Sequence, residues 1–118
     1  MTTTDRELLE RAAKAAGIAL TWHEPSCGGG ELPYVSWGSY TPAVWNPLHD
    51  DGDALRLAVK LRIEPHFVSD LVHAVVLQGS DLGEWETVLS DCQLGDDPYA
   101  ATRRAIVRAA AAMAGEGE

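Results

Sequence analysis

Positions 49–53 bring together side chains that could do metal or acid–base chemistry. They include one imidazole and three carboxylates, on His49, Asp50, Asp51 and Asp53. Carboxylate oxygens suit Mg²⁺ or Ca²⁺, and an imidazole nitrogen suits a transition metal. The spacing does not match an EF-hand loop, because Gly52 comes too early and the residues after it are apolar. Because the residue types suit a metal although the spacing does not match an EF-hand loop, a metal-dependent enzyme that uses these four residues is kept as an alternative hypothesis.

The same acids also mark the start of a helix, which is predicted to begin within residues 50–53 and to end near Leu61. Carboxylates in a first helical turn accept hydrogen bonds from unpaired amides and oppose the positive end of the helix dipole, for about 0.3–2 kcal/mol each. The apolar residues expected to face the core are Leu55, Ala58, Val59 and Leu61. Arg56 and Lys60 are expected on the solvent side. Capping is the preferred role of the acids.

A turn is predicted just before this helix, at residues Trp45, Asn46, Pro47 and Leu48. An asparagine before a proline favours a turn. The indole is expected to pack on the core, and Leu48 is expected to contact a residue one turn into the helix. Together with Asp50, Asp51 and Asp53, these residues are interpreted as a structural motif.

A helix followed by two strands is predicted on the N-terminal side of this motif. Thr4 and Glu7 fit a capping box that begins a helix, and Gly17 fits the left-handed residue that ends it. The apolar stripe of that helix is expected to be Leu8, Leu9, Ala12, Ala13 and Ala16. Two short strands, at residues 18–22 and 34–38, are expected to pair as a hairpin. Residues 39–49 are expected to be irregular.

The second half of the chain is rich in β-branched residues, and it predicts three strands, at residues 63–68, 71–77 and 85–89. The second of them is expected to be central, and Pro65 makes the first an edge strand or a bulged one. Asp97 and Pro98 fit the cap and first position of a last helix, from Tyr99 to about residue 114. Its buried side is expected to be Ala101, Ala105, Ile106, Ala109, Ala112 and Met113.

The order of elements is therefore helix, two strands, helix, two or three strands, helix. This order predicts the α+β class, with a mainly antiparallel sheet of four to five strands. Three amphipathic helices that cover both faces of the sheet would give a three-layer α/β/α sandwich. At 118 residues the chain is predicted to form one domain over residues 1–118, with a frayed tail at 113–118.

Residues 45–61 closely resemble the central motif of the phage ABA sandwich domain family, which consists of small tailed-phage and prophage proteins. Residues 97–111 look like the last helix of that family, and a helix followed by an extended tryptophan is similar to its usual opening. The resemblance covers most of the chain, but residues 28–30 and 64–90 carry no matching motif. It implies the sandwich fold and a phage or prophage source. It implies no established activity and no catalytic residues.

The net charge and the cysteine content indicate which binding partners and which cellular environment to expect. The formal net charge of −9 at pH 7 and the pI near 4.7 disfavour direct nucleic-acid binding through phosphates. Cys27 and Cys92 match no metal spacing and are interpreted as free thiols in a reducing cytosol, in preference to one disulfide. With neither a signal-peptide pattern nor a membrane-length apolar run, the protein is predicted to be soluble and located in the host cytoplasm. No cofactor is predicted.

The favoured functional hypothesis is a non-enzymatic phage accessory protein that binds a host or phage protein. An acidic surface can mimic phosphate charge, which would fit inhibition of a nucleic-acid-binding defence complex, as in an anti-CRISPR protein. A homodimer is a further arrangement left open. The residues expected to contact a partner are surplus tryptophans and acids that would favour this role by lying together on one exposed face, namely Trp37, Trp85, Asp81, Glu84, Glu86, Asp96 and Asp97.

A third hypothesis, beside the metal-dependent enzyme, is a small nucleic-acid-binding phage regulator that uses the last helix. Arg103, Arg104 and Arg108 would then contact phosphates. The simpler interpretation is that these arginines form the solvated face of an amphipathic helix. On that interpretation they pair within the molecule with the excess of acidic residues.

Overall fold

The structure, a computed structural model, describes residues 4–24, 26, 28, 30–35, 43–80 and 83–114, without the side chains of residues 77–80 and 83–89. Its helices are α1 (Asp5–Ala16), α2 (Asp51–Leu61) and α3 (Pro98–Met113). One sheet contains β1 (Leu20–His23), β2 (Leu32–Val35) and β3 (Ala43–Val44). The other contains β4 (Ile63–Val68), β5 (Leu71–Ser80) and β6 (Gly83–Gln93). The predicted α+β class is confirmed.

The N-terminal helix has the predicted ends. The Glu7 amide donates to Thr4 Oγ1 at 3.2 Å, and the Thr4 amide donates to Glu7 Oε1 at 3.3 Å, so the capping box is complete. Gly17 follows α1 with a φ of 71°, a left-handed conformation that glycine adopts without steric cost. The predicted apolar stripe of α1 is buried as a whole.

The first sheet is a hairpin with one extra strand. β1 and β2 pair antiparallel, which confirms the predicted hairpin, and Leu20 lies opposite Val35. Residues 36–38 of the predicted second strand lie outside the described residues. The expectation that residues 39–49 are irregular is wrong in part, because β3 pairs antiparallel with β2. A proline that precedes a strand removes no amide donor from it, so Pro42 does not prevent this pairing.

The second sheet has the order β4–β5–β6, with antiparallel pairing throughout. β5 is central, as predicted, and β4 is an edge strand that contains Pro65. Proline is tolerated in an edge strand because its missing amide hydrogen can face away from the neighbouring strand. A register shift at Ala74 and Val75 marks a bulge between β5 and β6.

The prediction of one sheet with four to five strands in a three-layer sandwich is not confirmed. The described strands divide into two three-stranded sheets that do not pair with each other. α3 contacts all three strands of the second sheet, and it also contacts α1 and α2. One helix therefore lies between a sheet and two further helices. The sequence indicates which segments are extended, but short strands carry little information about their distant partners.

The position of α3 explains which of its residues are buried, namely Ala105, Ile106, Val107, Ala109, Ala110 and Ala111. Of the residues expected in this core, Ala112 and Met113 are exposed and Ala101 is only half-buried. The expected single stripe is wrong because α3 has neighbours on two sides, which widens its buried surface. Alanine dominates the buried faces of both α1 and α3, and small side chains let two helices approach closely.

α2 buries a different face from the expected one. Its buried residues are Asp53, Ala54, Leu57 and Ala58, and Leu61 packs partly buried against the core. Leu55 and Val59, which were expected in the core, are 65% and 66% exposed. The apolar residues of α2 fit two overlapping stripes, and packing on α3 selects the stripe that contains Leu57. The other stripe is left on the outside.

We expect Ala109→Leu to lower the free energy of unfolding by about 1–3 kcal/mol, because Ala109 is fully buried and added methylenes have no space. Ala112→Leu is the matched control in the same helix at an exposed position, with an expected change below about 0.5 kcal/mol. Chemical unfolding followed by circular dichroism measures both. Equal losses in the two variants would contradict the buried face assigned to α3.

Candidate functional site

The predicted motif around residues 45–53 forms a compact turn against the core. Trp45 and Leu48 are buried, and the Trp45 amide donates to the Pro33 carbonyl of β2 at 2.9 Å. The carbonyl of Asn46 accepts from the amides of His49 and Asp50 at 3.0 and 2.8 Å. These bonds hold the turn to the first sheet and direct the chain into α2.

The carboxylates of this turn are engaged by neighbouring groups. Asp50 caps α2 by accepting from the Asp53 amide at 2.8 Å. Asp53 is only 8% exposed, and it accepts from the Asn46 amide at 2.9 Å and from Arg56 Nη2 at 2.6 Å. A buried carboxylate is tolerated when its oxygens have such partners. The two oxygens of Asp53 are therefore committed to the fold.

An arginine from α3 completes this network. Arg103 donates through Nε to the Leu48 carbonyl at 2.9 Å and through Nη1 to Asp51 Oδ1 at 2.6 Å. Its side chain is only 16% exposed, so the contact is shielded from solvent on the arginine side. Arg104 pairs with Asp5 at 2.8 Å, and Arg108 donates to the free thiol of Cys92 at 3.6 Å. The arginines of the nucleic-acid hypothesis thus have partners within the molecule.

The metal hypothesis receives no geometric support from the described residues. They contain no group of three or more histidine, cysteine, aspartate or glutamate side chains that could hold a metal ion. Asp51 and Asp53 instead face guanidinium groups. Both oxygens of Asp53 are engaged by Asn46 and Arg56, and Asp51 uses one oxygen in its pair with Arg103.

The residues expected to bind a partner are spread along the molecule. Trp37 and Asp81 lie outside the described residues. Glu84, Trp85 and Glu86 lie near the start of β6, and their side chains are not described. Asp96 and Asp97 are exposed beyond the other end of this 11-residue strand, which spans about 35 Å. Asp97 also caps α3 by accepting from the Ala100 amide at 3.0 Å. A partner contact at these residues stays a prediction.

A surface that sequence reasoning missed lies between α2 and β4. It is an open groove of about 550 Å³, here called the α2–β4 groove, lined by Leu55, Ala58, Val59, Arg62, Ile63, Glu64, Pro65 and Ile106. α2 forms one wall and the start of β4 forms the other, and Ile106 of α3 contributes a buried side chain. The available signal was in α2, which has more apolar residues than one buried stripe needs.

The backbone between α2 and β4 shapes this groove. Arg62 ends α2 in a left-handed conformation with a φ of 60°, and its backbone amide donates to the carbonyls of Ala58 and Val59. β4 begins at the next residue, so no loop separates the helix from the strand. A non-glycine residue pays a steric cost in this conformation. The abrupt turn keeps the outer face of α2 beside the first residues of the edge strand.

The lining of the groove contains one side chain of each charge, Arg62 and Glu64. Arg62 is exposed at the end of α2, and among the described residues it has no salt bridge. Glu64 stands on the β4 side, where its Oε1 lies 3.0 Å from His66 Nε2. The groove therefore offers apolar groups together with one cationic and one anionic side chain.

Removing the carboxylate of Asp53 tests the structural role of the turn. We expect Asp53→Ala to lower the free energy of unfolding by about 1–3 kcal/mol, since it leaves the Asn46 amide without its acceptor. Asp5→Ala is the control, because it breaks the exposed pair with Arg104 and should cost less than about 1 kcal/mol. Thermal and urea unfolding measure both. A loss no greater than that of the control would refute a stabilising role for the buried contacts of Asp53.

Comparison with protein-family models found no match to the chain, and comparisons with curated proteins and with solved structures found no significant similarity. The resemblance to the phage ABA sandwich domain family and the phage source therefore stay predictions. No helix within the described residues is both long enough and apolar enough to cross a membrane.

Proposed function

We propose that this protein is a non-catalytic accessory protein that binds another protein, and that the α2–β4 groove is the contact surface. The exposure of Leu55 and Val59 carries the proposal. They are one helical turn apart and stand beside the apolar lining of a groove. The phage resemblance adds the setting, in which the partner is a host or defence-system protein in the host cytoplasm.

Leu55 and Val59 differ from scattered exposed apolar residues because they adjoin other apolar side chains. A single exposed leucine needs no explanation, because much of any protein surface is apolar. Here two aliphatic side chains adjoin Ile63, Pro65 and Ile106 in one groove. Complete burial of each aliphatic side chain contributes about 1.5–3 kcal/mol, so Leu55 and Val59 together could anchor a partner.

The side chains that could do chemistry elsewhere also support a binding role. Asp53 and Arg103 hold the turn to α2 and α3, and Asp50 caps a helix. If any of these three groups acted on a substrate, the fold would lose one of these hydrogen bonds. Leu55 and Val59, by contrast, are mostly exposed and contribute little to the packing of α2 on α3.

The test replaces the groove residues in the double variant Leu55→Ser with Val59→Ser. Affinity capture from cells in which the gene occurs naturally should recover a partner with the wild type and lose it with this variant. We expect the affinity for the recovered partner to fall at least about 10-fold, because two apolar anchors are removed. Isothermal titration calorimetry with the purified partner measures the change.

Tyr99→Ser is the matched control for this experiment, because Tyr99 is an exposed apolar residue on α3 that does not line the groove, at 70% exposure. It should bind like the wild type. Both variants should keep the thermal unfolding midpoint, since the altered side chains are mostly in solvent. A partner held equally by the groove variant, or no partner specific to the wild type, would reject the proposed function.

A further inference from the structure

A row of polar side chains crosses the three strands of the second sheet. His73 on the central strand β5 lies directly opposite His66 of β4 on one side and directly opposite Asp91 of β6 on the other. Residues that are directly opposite in an antiparallel sheet have their side chains on the same face. Two imidazoles therefore stand side by side on neighbouring strands, and imidazole nitrogens are ligands that transition metals favour.

This row lies on the face of the sheet that is turned away from α3. Val72 and Ala74 flank His73 in β5, and both are fully buried on the side where α3 contacts the strand. Successive side chains of a strand point to opposite faces, so His73 points away from α3. His73 is half-buried, and the side chain of His66 is 33% exposed. An ion can therefore approach the pair from solvent.

We propose that His66 and His73 together bind a divalent transition-metal ion through their imidazole nitrogens. The Cβ atoms of a directly opposed pair lie about 4.5–5.5 Å apart. That separation is compatible with a metal–nitrogen distance of about 2.0–2.1 Å to each ring, once both rings turn towards the ion. Water would take the remaining positions, because no three histidine, cysteine, aspartate or glutamate side chains converge on a metal position within the described residues.

The surroundings of the two rings suit this role. Glu64 Oε1 lies 3.0 Å from His66 Nε2. Histidines that bind metals commonly donate one ring N–H to a carboxylate and bind the ion through the other nitrogen, so Glu64 would orient His66 for binding through Nδ1. Within the described residues His73 makes no hydrogen bond or ion pair. Its ring can therefore turn towards an ion without loss of a contact.

The ligands determine the class of ion. Two imidazoles suit Cu²⁺, Ni²⁺ and Zn²⁺, and Cu²⁺ is the tightest binder of these at a site of nitrogen ligands. Mg²⁺ and Ca²⁺ require several oxygen ligands, which a pair of histidines does not supply. We therefore expect Cu²⁺ to bind more tightly than Zn²⁺, and Mg²⁺ not to compete with either ion.

A bound ion would join the edge strand to the central strand. Within the described sheet β4 pairs only with β5, and Pro65 has no amide hydrogen to donate to a neighbouring strand. A metal that bridges His66 and His73 adds a link between these two strands that the unfolded chain lacks. Because a ligand of the folded state stabilises it, the thermal unfolding midpoint should rise as Cu²⁺ or Zn²⁺ is added.

Calorimetric titration of the full-length chain with CuCl₂ and with ZnCl₂ tests the site. His66→Gln and His73→Gln should each weaken binding at least about 10-fold, because a second ligand on the same surface binds the ion at a high effective concentration. His49→Gln is the matched control, since His49 is an exposed histidine outside the row, and it should bind like the wild type. Electron paramagnetic resonance of the Cu²⁺ complex should show two nitrogen ligands in the wild type and one in either row variant.

Three results would overturn the paired site. They are a wild type that binds no Cu²⁺, a wild-type spectrum with a single nitrogen ligand, and equal affinities in the wild type and the His73→Gln variant. Binding that is lost only in His49→Gln would place the ion at residues 49–53, which also overturns it. Circular dichroism checks that each variant is folded, and the wild-type spectrum tests the site even if a variant is not. The proposed groove is tested separately by Leu55→Ser with Val59→Ser, so either proposal can fail without the other.

Discussion

The arrangement of the helices depends on the contact of Arg103 with the turn before α2. Its guanidinium bridges the Leu48 carbonyl and the Asp51 carboxylate, which lie on a part of the chain more than 50 residues away in sequence. A mostly buried cation needs such partners, because an unpaired charge away from solvent is costly. The bridge ties α3, which already contacts the whole second sheet, to the first turn of α2.

This contact acts together with the packing of α2 on α3, which determines the buried face of α2. Once the start of α2 is held against α3, Leu57 and Ala58 turn inwards. Leu55 and Val59 then lie on the far side, beside the start of β4. The groove is therefore a consequence of the same contacts that hold the helices together.

Features set by neighbouring residues were predictable from the sequence. The capping box of Thr4 and Glu7, the cap of α3 at Asp97, and the central position of β5 each depend on a short local pattern. Choices between distant partners were not predictable. The bridge from Arg103 to Asp51 has no sequence signature, and α2 has enough apolar residues to bury either of two stripes. The packing of α2 on α3 determines which stripe is buried, and local propensity does not distinguish between the two stripes.

Residues 45–61, the most distinctive stretch of the sequence, accordingly divide into two parts. The acids before Ala54 could have formed a metal site, but in the structure Asp51 and Asp53 neutralise arginines and Asp50 caps the helix. The helical residues after Ala54 contribute one face to the core and leave the other in solvent. Chemical reactivity was the first interpretation of this stretch, yet each reactive carboxylate there has a structural partner. What remains in solvent is the apolar face that carries Leu55 and Val59, and an exposed apolar surface of this kind supports the proposed binding role.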